Sequence, residues 1–425
     1  MRPMWQDEAP GRMTATVTPN AGTGRLRVAF VASGYPTAGR ANAGVVIHRS
    51  IRELSACVQP YVIHLRAWVP GRPFVVRREW EGVPVLSVAC PQSPSGMAFH
   101  LNAVIQARLG WAFVRGFVEG ADVVHSTNLY SAGYVASQWA VAAHKPHTTH
   151  VTGSDWNLFL GPRLARIGTR WLRSVDGVAC HGMAIMNQLT AVVPDLPNVV
   201  VVYRGVDSTA FSPEGPTHGP LSSLPPVRFL YLGGFHSWDP RRAEYNLKGG
   251  HTLLKAWQQV EARIAPSSLL IAGPGTELST LQAWRASLRR PEAVFLSGAV
   301  SPSDVPALIR ACDVVVIPSL HEGVPNVANE AQSCGRPVLG TDAGGIPESV
   351  VHGQTGWIVP RGDPEALASG LEWFHAHRTE VEGMGANGRA RMIRHFTWER
   401  FSEQMAALFG AAIQTHRSRA GARTD

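Results

Sequence analysis

The chain has few cysteines, no long apolar run and no complete dinucleotide-binding glycine motif, and each of these shortages argues against a class of protein. Its five cysteines are odd in number and never stand in a CxxC spacing, which argues against a disulfide framework and against a zinc site. No apolar stretch reaches the roughly 20 residues that a membrane-spanning helix needs. Residues 273–275 (GPG) lack the third glycine of a dinucleotide loop, which disfavours a nicotinamide-dependent dehydrogenase.

The excess of positive over negative charge lies entirely in the first half of the chain. Residues 1–205 hold 19 Lys and Arg against 10 Asp and Glu, whereas residues 206–425 hold 20 against 21. A basic first half predicts that this part of the protein meets something anionic. A length of 425 residues favours two domains rather than one core.

Two series of short Val-, Ile- and Leu-rich runs, separated by helical patterns, are typical of parallel strands covered on both faces. Residues 211–226 hold five prolines and separate the two series. We therefore predict an α/β fold with two Rossmann-like domains facing across a cleft. The predicted parts are a disordered leader (1–24), an acceptor-binding domain (25–210), a linker (211–226), a nucleotide-sugar domain (227–395) and a C-terminal helix and tail (396–425) that cross back to the first domain.

A strand, a loop and a helix in the second half place two carboxylates near one strand end. The strand DVVVIPS (313–319) precedes a loop that contains Glu322, and a helix that contains Glu330 follows. Ligands of open α/β sheets bind beyond the carboxyl ends of strands, beside helix N-termini. The two carboxylates are spaced to contact two parts of one elongated ligand. Taken alone, such a pair is more often solvent-facing.

A basic amphipathic pattern runs through residues 163–174 (RLARIGTRWLRS). Its spacings of three, four and three put four arginines on one helix face. Either this face is simply solvated, or it contacts anionic lipid or a diphosphate-linked acceptor. The four residues are Arg163, Arg166, Arg170 and Arg173.

Several motifs in order resemble those of the retaining glycosyltransferases of the GT-B fold, in particular family 4. Residues 322–331 (EGVPNVANEA) resemble its E-x7-E motif, 335–348 (GRPVLGTDAGGIPE) continue the series, and Lys248-Gly249 resembles its KG motif. In the first half, 44–48 (GVVIH), 122–125 (DVVH) and 153–155 (GSD) resemble family segments.

By matching position, the resemblance implies a role for Glu322 near the reacting sugar and for Glu330 at the nucleotide ribose. It also implies that Lys248 neutralises the donor diphosphate. Further residues follow from the matched segments: His125 on the catalytic side; Gly44, Gly323, Val324 and Asn326 at the donor; His48, Ser154 and Asp155 on the acceptor side.

The chain departs from the family pattern in two places. Gly234 stands where the family commonly has an arginine beside the diphosphate, and we expect Arg241 or Arg242 to replace that charge. Thr152 stands where the family's histidine usually precedes GSD, and His150 lies two residues earlier. The sequence also has no Asp-x-Asp triplet, the usual metal–diphosphate ligand of the other large glycosyltransferase fold.

The resemblance implies a retaining, metal-independent hexosyltransferase that needs no cofactor and uses a UDP- or GDP-linked sugar. The expected acceptor is an anionic glycan, a lipid-linked acceptor or a small molecule, and no nucleic acid is expected. We expect a cytoplasmic location with peripheral contact to a membrane surface. The alternatives are a sugar-nucleotide epimerase or phosphorylase on the same fold, or a non-catalytic sugar-nucleotide-binding protein.

Overall fold

The computed structural model describes residues 24–38, 43–91, 99–153, 170–218, 223–235, 247–275 and 279–422. The chain divides into two compact units. The first comprises residues 1–180, 189–202 and 402–425, and the second comprises residues 181–188 and 203–401. The predicted leader lies outside the described residues, apart from its last position, Gly24.

The first unit is built on an eight-stranded sheet in the order β3-β4-β2-β1-β5-β6-β7-β8. All neighbours pair in parallel except β3 and β4, which form an antiparallel edge. Its strands are β1 Leu26–Ala32, β2 Val58–Ala67, β3 Val75–Trp80, β4 Val83–Cys90, β5 Val123–Ser126, β6 His147–Val151, β7 Gly177–Cys180 and β8 Val199–Val201. Its helices are α1 Val45–Leu54, α2 Phe99–Glu119, a π-helical turn Leu129–Gly133 and α3 Tyr134–Ala142. Helix α4 spans Met183–Val192 and is divided: its part from residue 189 onwards belongs to this unit, and its beginning belongs to the second.

The second unit has a six-stranded, wholly parallel sheet in the order β11-β10-β9-β12-β13-β14. Its strands are β9 Arg228–Leu232, β10 Ser268–Ala272, β11 Val294–Leu296, β12 Val314–Ile317, β13 Val338–Thr341 and β14 Gly356–Val359. Its helices are α5 Gly250–Val260, α6 Ser279–Ala286, a 3-10 turn Pro291–Ala293, α7 Val305–Ala311, α8 Asn326–Ser333, α9 Ile346–Ser349, α10 Pro364–Ala376 and α11 Arg378–His395. The last helix, α12 Trp398–Gly421, begins in this unit and continues in the first.

The strands of the second sheet are buried on both faces, which explains why they appear in the sequence as continuous apolar runs. Phe229 and Tyr231 of β9 pack with Trp257 of α5 on one face of the second sheet, and Leu230 packs with Ala328 of α8 on the other. The prediction of two Rossmann-like α/β domains is confirmed, and residues 402–425 belong to the first unit. No helix of the described ranges is long and apolar enough to cross a membrane.

The chain passes from the first unit to the second between Val202 and Tyr203. The proline-rich segment that we interpreted as a linker therefore belongs to the second unit. Arg310, which is 7% exposed, donates to the carbonyls of Ala210, Ser212 and Pro216. These bonds attach the start of the segment to α7.

Candidate functional site

The strand order of the second unit creates a switch point between β9 and β12. The chain leaves β9 towards β10 and β11 on one side, and leaves β12 towards β13 and β14 on the other. The loops that follow these two neighbouring strands therefore diverge, and α/β proteins bind ligands in the crevice that this leaves at the carboxyl edge of the sheet. Lys248 lies in the connection after β9, and Glu322 lies in the loop after β12.

Lys248 and Glu322 form an ion pair at this switch point. The Lys248 ammonium group contacts Oε1 of Glu322, and the lysine side chain is 51% exposed whereas that of Glu322 is 12% exposed. Ser319 Oγ donates to the same carboxylate oxygen at 3.1 Å. Because one Glu322 oxygen is held from two sides, its carboxylate is fixed while the lysine remains accessible to an incoming anion.

The connections after β9 and β13 lie against the loop after β12 because glycines leave room for backbone contact. Gly249 has a φ of +69°, and a Cβ there would overlap the carbonyl of Pro318. Gly344 has a φ of +53°, and a Cβ there would overlap the carbonyl of Glu322. The amide of Leu320 also donates to the carbonyl of Leu247 at 2.8 Å. The Lys248–Glu322 pair thus depends on close backbone packing that larger residues would prevent.

Two helix N-termini begin beside this pair. Helix α5 begins at Gly250, two residues after Lys248, and α8 begins at Asn326, four residues after Glu322. Neither N-cap residue makes a side-chain capping bond. First-turn amides of a helix lack intrahelical acceptors and carry partial positive charge, which favours anions.

Tyr231 of β9 adds a buried hydroxyl to the same region, which the sequence analysis did not identify. Its side chain is 2% exposed, and its hydroxyl lies against Gly233 and Gly250. Burial, and secondly the negative charge of Glu322, raise the pKa of Tyr231 above its usual value. Among the described residues, its hydroxyl has no hydrogen-bond partner.

The remaining predicted donor residues of this unit lie along the same loop and helix. Gly323 accepts a bond from the amide of Gly345 at 2.9 Å. Val324 is 4% exposed and packs against Met392 and Phe396, so only its backbone faces polar groups. Glu330 is half-buried on α8, about one turn after the helix begins at Asn326. The side chains of Arg241 and Arg242 lie outside the described residues.

Glu348 organises a further part of this unit and was not assigned a role from the sequence. Its carboxylate accepts bonds from the amides of Met183 at 2.6 Å and Ala184 at 2.9 Å, and from the Tyr203 hydroxyl at 2.7 Å. It therefore caps the N-terminus of α4 with a charged acceptor. Partners more than 140 residues away in sequence left no local signal.

His125 lies on β5 in the core of the first unit. It is 2% exposed, its Nδ1 is 2.9 Å from Thr148 Oγ1, and its ring packs edge-on against Phe30 and Phe409. Burial, and secondly the neighbouring His147, lower the pKa of His125 to about 3. The imidazole is therefore neutral near pH 7, and these surroundings favour a structural role over the catalytic one expected.

His48 and Gly44 lie at the start of α1. The His48 Nδ1 atom is 2.6 Å from the Tyr35 hydroxyl and its Nε2 is 3.1 Å from Glu81. Gly44 has a φ of +69° and a Cβ there would crowd the carbonyl of Gly34, so the glycine is required by the backbone. The structure thus gives both residues a local structural explanation beside the predicted acceptor and donor roles.

The predicted acceptor residues Ser154, Asp155, Arg163 and Arg166 lie outside the described residues. The other two arginines of the basic pattern, Arg170 and Arg173, are exposed. Trp171 and Leu172 between them are 5% and 0% exposed, as expected for the apolar side of an amphipathic helix. In the described parts of the chain, no group of three or more His, Cys, Asp and Glu side chains could hold a metal ion.

Comparison with solved structures shows the fold. Sucrose-phosphate synthase from Thermosynechococcus elongatus superposes with a TM-score of 0.69 at 21% identity, covering 94% of this chain and 100% of the other. HepE from Anabaena, in complex with UDP, gives 0.69 at 18% identity, with coverage of 90% and 98%.

Comparison of sequences shows the family. The family model described as glycosyl transferases group 1 matches residues 241–391, the part that holds Lys248, Glu322 and Glu330. The D-inositol 3-phosphate glycosyltransferase of Pseudarthrobacter chlorophenolicus is 30% identical over 320 residues, which are 69% of this chain and 72% of the relative. The prediction of a hexosyltransferase is confirmed at this level: the chain belongs to the group 1 glycosyltransferases.

Proposed function

We propose that this protein transfers a hexosyl group from a UDP- or GDP-linked sugar to an acceptor, with retention of configuration and without a metal ion. The observation that carries the proposal is the Lys248–Glu322 pair at the β9/β12 switch point, beside the N-termini of α5 and α8. A cation, two sets of helix amides and a fixed carboxylate suit a ligand that combines a diphosphate with a sugar.

In this proposal, Lys248 and the first-turn amides stabilise the charge that grows on the diphosphate as the glycosidic bond breaks. Donor binding draws Lys248 from Glu322 to the diphosphate, and Ser319 keeps the Glu322 carboxylate in place to contact the sugar hydroxyls. Glu330 accepts hydrogen bonds from the ribose. The acceptor approaches the same face of the sugar that the diphosphate leaves, and a diphosphate oxygen takes the acceptor's proton.

Metal independence follows from the same charges. Lys248 and two helix N-termini supply positive potential where a divalent ion would otherwise be needed. Gly234 offers no guanidinium group, and we propose that Arg241 or Arg242 supplies it once the donor is bound. Arginine suits this position because its planar group forms bidentate bonds with phosphate.

The first unit, with its excess of positive charge, is proposed to hold an anionic acceptor. The relative from Pseudarthrobacter chlorophenolicus is named for D-inositol 3-phosphate, an anionic acceptor type, which supports this choice. A glycan, a lipid-linked acceptor and a phosphorylated small molecule all fit a basic surface. The same relative is named a glycosyltransferase, which favours transfer over the epimerase or phosphorylase alternative.

A donor screen followed by product analysis tests the proposal. Thermal unfolding is measured with UDP, GDP, ADP and TDP and with their sugars, because a ligand that binds the folded state raises the unfolding temperature. The expected result is a shift with UDP or GDP, then transfer from the matching sugar with an unchanged anomeric configuration by NMR. An inverted product, or sugar conversion without any acceptor, would contradict the proposal.

A further inference from the structure

Helix α2 has an apolar face towards solvent as well as towards the core. Its inner side packs on the first sheet through small and aliphatic residues such as Ala103, Val114 and Val118. On its outer side, Leu101, Leu109 and Phe113 are 55%, 51% and 45% exposed. A surface helix normally carries polar residues there, so an apolar outer face marks an interaction surface.

The tip between β2 and β3 carries a second group of exposed apolar side chains. Trp68 and Phe74 stack with ring centroids 5.2 Å apart, and the Trp68 Nε1 atom donates to the carbonyl of Arg72 at 3.2 Å. Val69 and Phe74 are 49% and 45% exposed. The tip is thus an ordered turn that presents apolar groups instead of burying them.

The tip lies beside the carboxyl end of β4, and α2 packs on the same strand. The amide of Trp68 donates to the carbonyl of Cys90, the last residue of β4, and the amide of Ala89 donates to the carbonyl of Phe74. Helix α2 is the next described element after β4 and packs on it. Farther along, the Arg77 guanidinium of β3 lies 5.5 Å from the Phe117 ring, so α2 also runs beside the edge strand.

Arginines lie beside the exposed apolar residues both on α2 and at the β2–β3 tip. Arg108 and Arg115 lie on the exposed side of α2, and its one acidic residue, Glu119, is paired with Arg115 at 2.7 Å. At the tip, Arg66 donates to the carbonyl of Pro73, and Arg72 is exposed. Residues 58–119 contain six arginines, no lysine and three glutamates.

We propose that the outer face of α2 and the β2–β3 tip together form a docking surface for the bilayer, with a preference for anionic lipid. Exposed apolar side chains flanked by arginines suit an interface where acyl chains and acidic headgroups meet, and tryptophan is favoured at that depth. A twofold contact with a second copy is disfavoured, because it would bring the same arginines of two copies together. The inference goes beyond the proposed transfer reaction and does not depend on its donor or mechanism.

Vesicle co-sedimentation tests the proposal with the full chain. Vesicles of phosphatidylcholine alone are compared with vesicles that also contain phosphatidylglycerol, and we expect tighter binding to the latter that weakens with salt. The double variant Leu109→Asp/Phe113→Asp should bind at least about tenfold more weakly, because the lost apolar burial is large. Arg108→Ala should weaken binding to the anionic vesicles by about fivefold, with little effect on the neutral ones. Ile393→Asp on α11 is the matched control, since Ile393 is 52% exposed.

Circular dichroism establishes whether each variant is folded. The double variant Val69→Ser/Phe74→Ser at the tip is a second apolar variant, and it carries the test alone if Leu109→Asp/Phe113→Asp does not fold. The proposal would be overturned if every apolar variant that folds still binds vesicles as wild type does. Wild-type dimerisation that Leu109→Asp/Phe113→Asp abolishes would also overturn it, because a second copy would then cover this face. Donor binding measured without vesicles should be unchanged in these variants, which separates failure of this inference from failure of the proposed transfer.

Discussion

The two sheets each have a switch point, and their chemistry differs. In the second unit, the loops after β9 and β12 bring together Lys248 and Glu322, a charged pair with an exposed cation. In the first unit, the corresponding strands are β1 and β5. There the Asn128 amide donates to Ser33 Oγ at 2.7 Å, a contact between two uncharged side chains.

Two buried histidines of the first sheet are neutral for a physical reason. His125 faces Thr148 on the neighbouring strand and is surrounded by aromatic rings, and burial lowers the pKa of His147 to about 3 as well. A similar topology therefore places a charged pair with an exposed cation at the second switch point and a contact between uncharged side chains at the first. This difference supports assigning the donor to the second unit.

Removing the Lys248 charge should have the largest effect. Loss of one preorganised group that stabilises transition-state charge costs on the order of 10²–10³ in turnover, and we expect Lys248→Ala to fall in that range. Lys255→Ala on α5, the helix that follows Lys248, is the matched control and should behave like wild type, because Lys255 is exposed and lies in the middle of the helix. Steady-state transfer rates provide the measurement. Equal rates for the two variants would show that Lys248 has no special role in transfer, and the two switch points would then not differ in function as described.

The two glutamates should have separable effects of intermediate size. Glu330→Ala should weaken nucleotide binding by about 1–3 kcal/mol, because a charged hydrogen-bond acceptor is lost. Glu322→Gln should lower kcat more than donor affinity, since its contacts lie at the reacting sugar. Calorimetric titration with nucleotide and steady-state kinetics distinguish the two, with Glu292→Ala as an exposed control. Wild-type values for both folded variants would show that the E-x7-E assignment is wrong.

The buried histidines should make the stability of the protein depend on pH. The pKa of His125 is about 3 in the folded chain, whereas an unfolded histidine titrates near 6.5, so only the unfolded chain takes up a proton between these values. Stability is therefore present above pH 6.5 and falls on acidification, by about 1.4 kcal/mol per pH unit for each such histidine.

A histidine substitution tests this origin of the pH dependence. His125→Asn should make the free energy of urea unfolding less steeply dependent on pH between 7 and 5, and transfer activity at pH 7 should remain. His144→Asn is the control, because His144 is exposed and has a φ of +52° that asparagine tolerates. If His125→Asn instead abolishes transfer in a folded protein, His125 is catalytic as the sequence suggested.

Most of the fold could be predicted because the buried parallel strands are continuous apolar runs. Strand β3 does not follow this pattern, because its sequence VVRREW lies at a sheet edge and contains no continuous apolar run. The division between the units also escaped prediction. Proline content suggested a linker at 211–226, but Arg310 and Arg389 bind backbone carbonyls of its first residues, which no local pattern reveals.

The site was predictable where its residues are close in sequence or stand in an ordered motif series. Glu322, Glu330 and Lys248 belong to this group, and the structure brings Lys248 to Glu322 across 74 positions. Tyr231 and Glu348 could not be found in this way, because their roles depend on burial and on partners from distant elements. For His125, the resemblance of residues 122–125 to a family segment implied a catalytic role, whereas pairing with Phe30 and Thr148 across the sheet places it in the core.

Transfer in the presence of excess EDTA tests the central claim most directly, that fixed protein charges alone hold the donor diphosphate. Wild-type protein is assayed with its donor before and after exhaustive chelation, then again after adding magnesium or manganese. We predict the same turnover under all three conditions, with Lys248→Ala equally impaired in each. Loss of turnover in EDTA that either ion restores would contradict it.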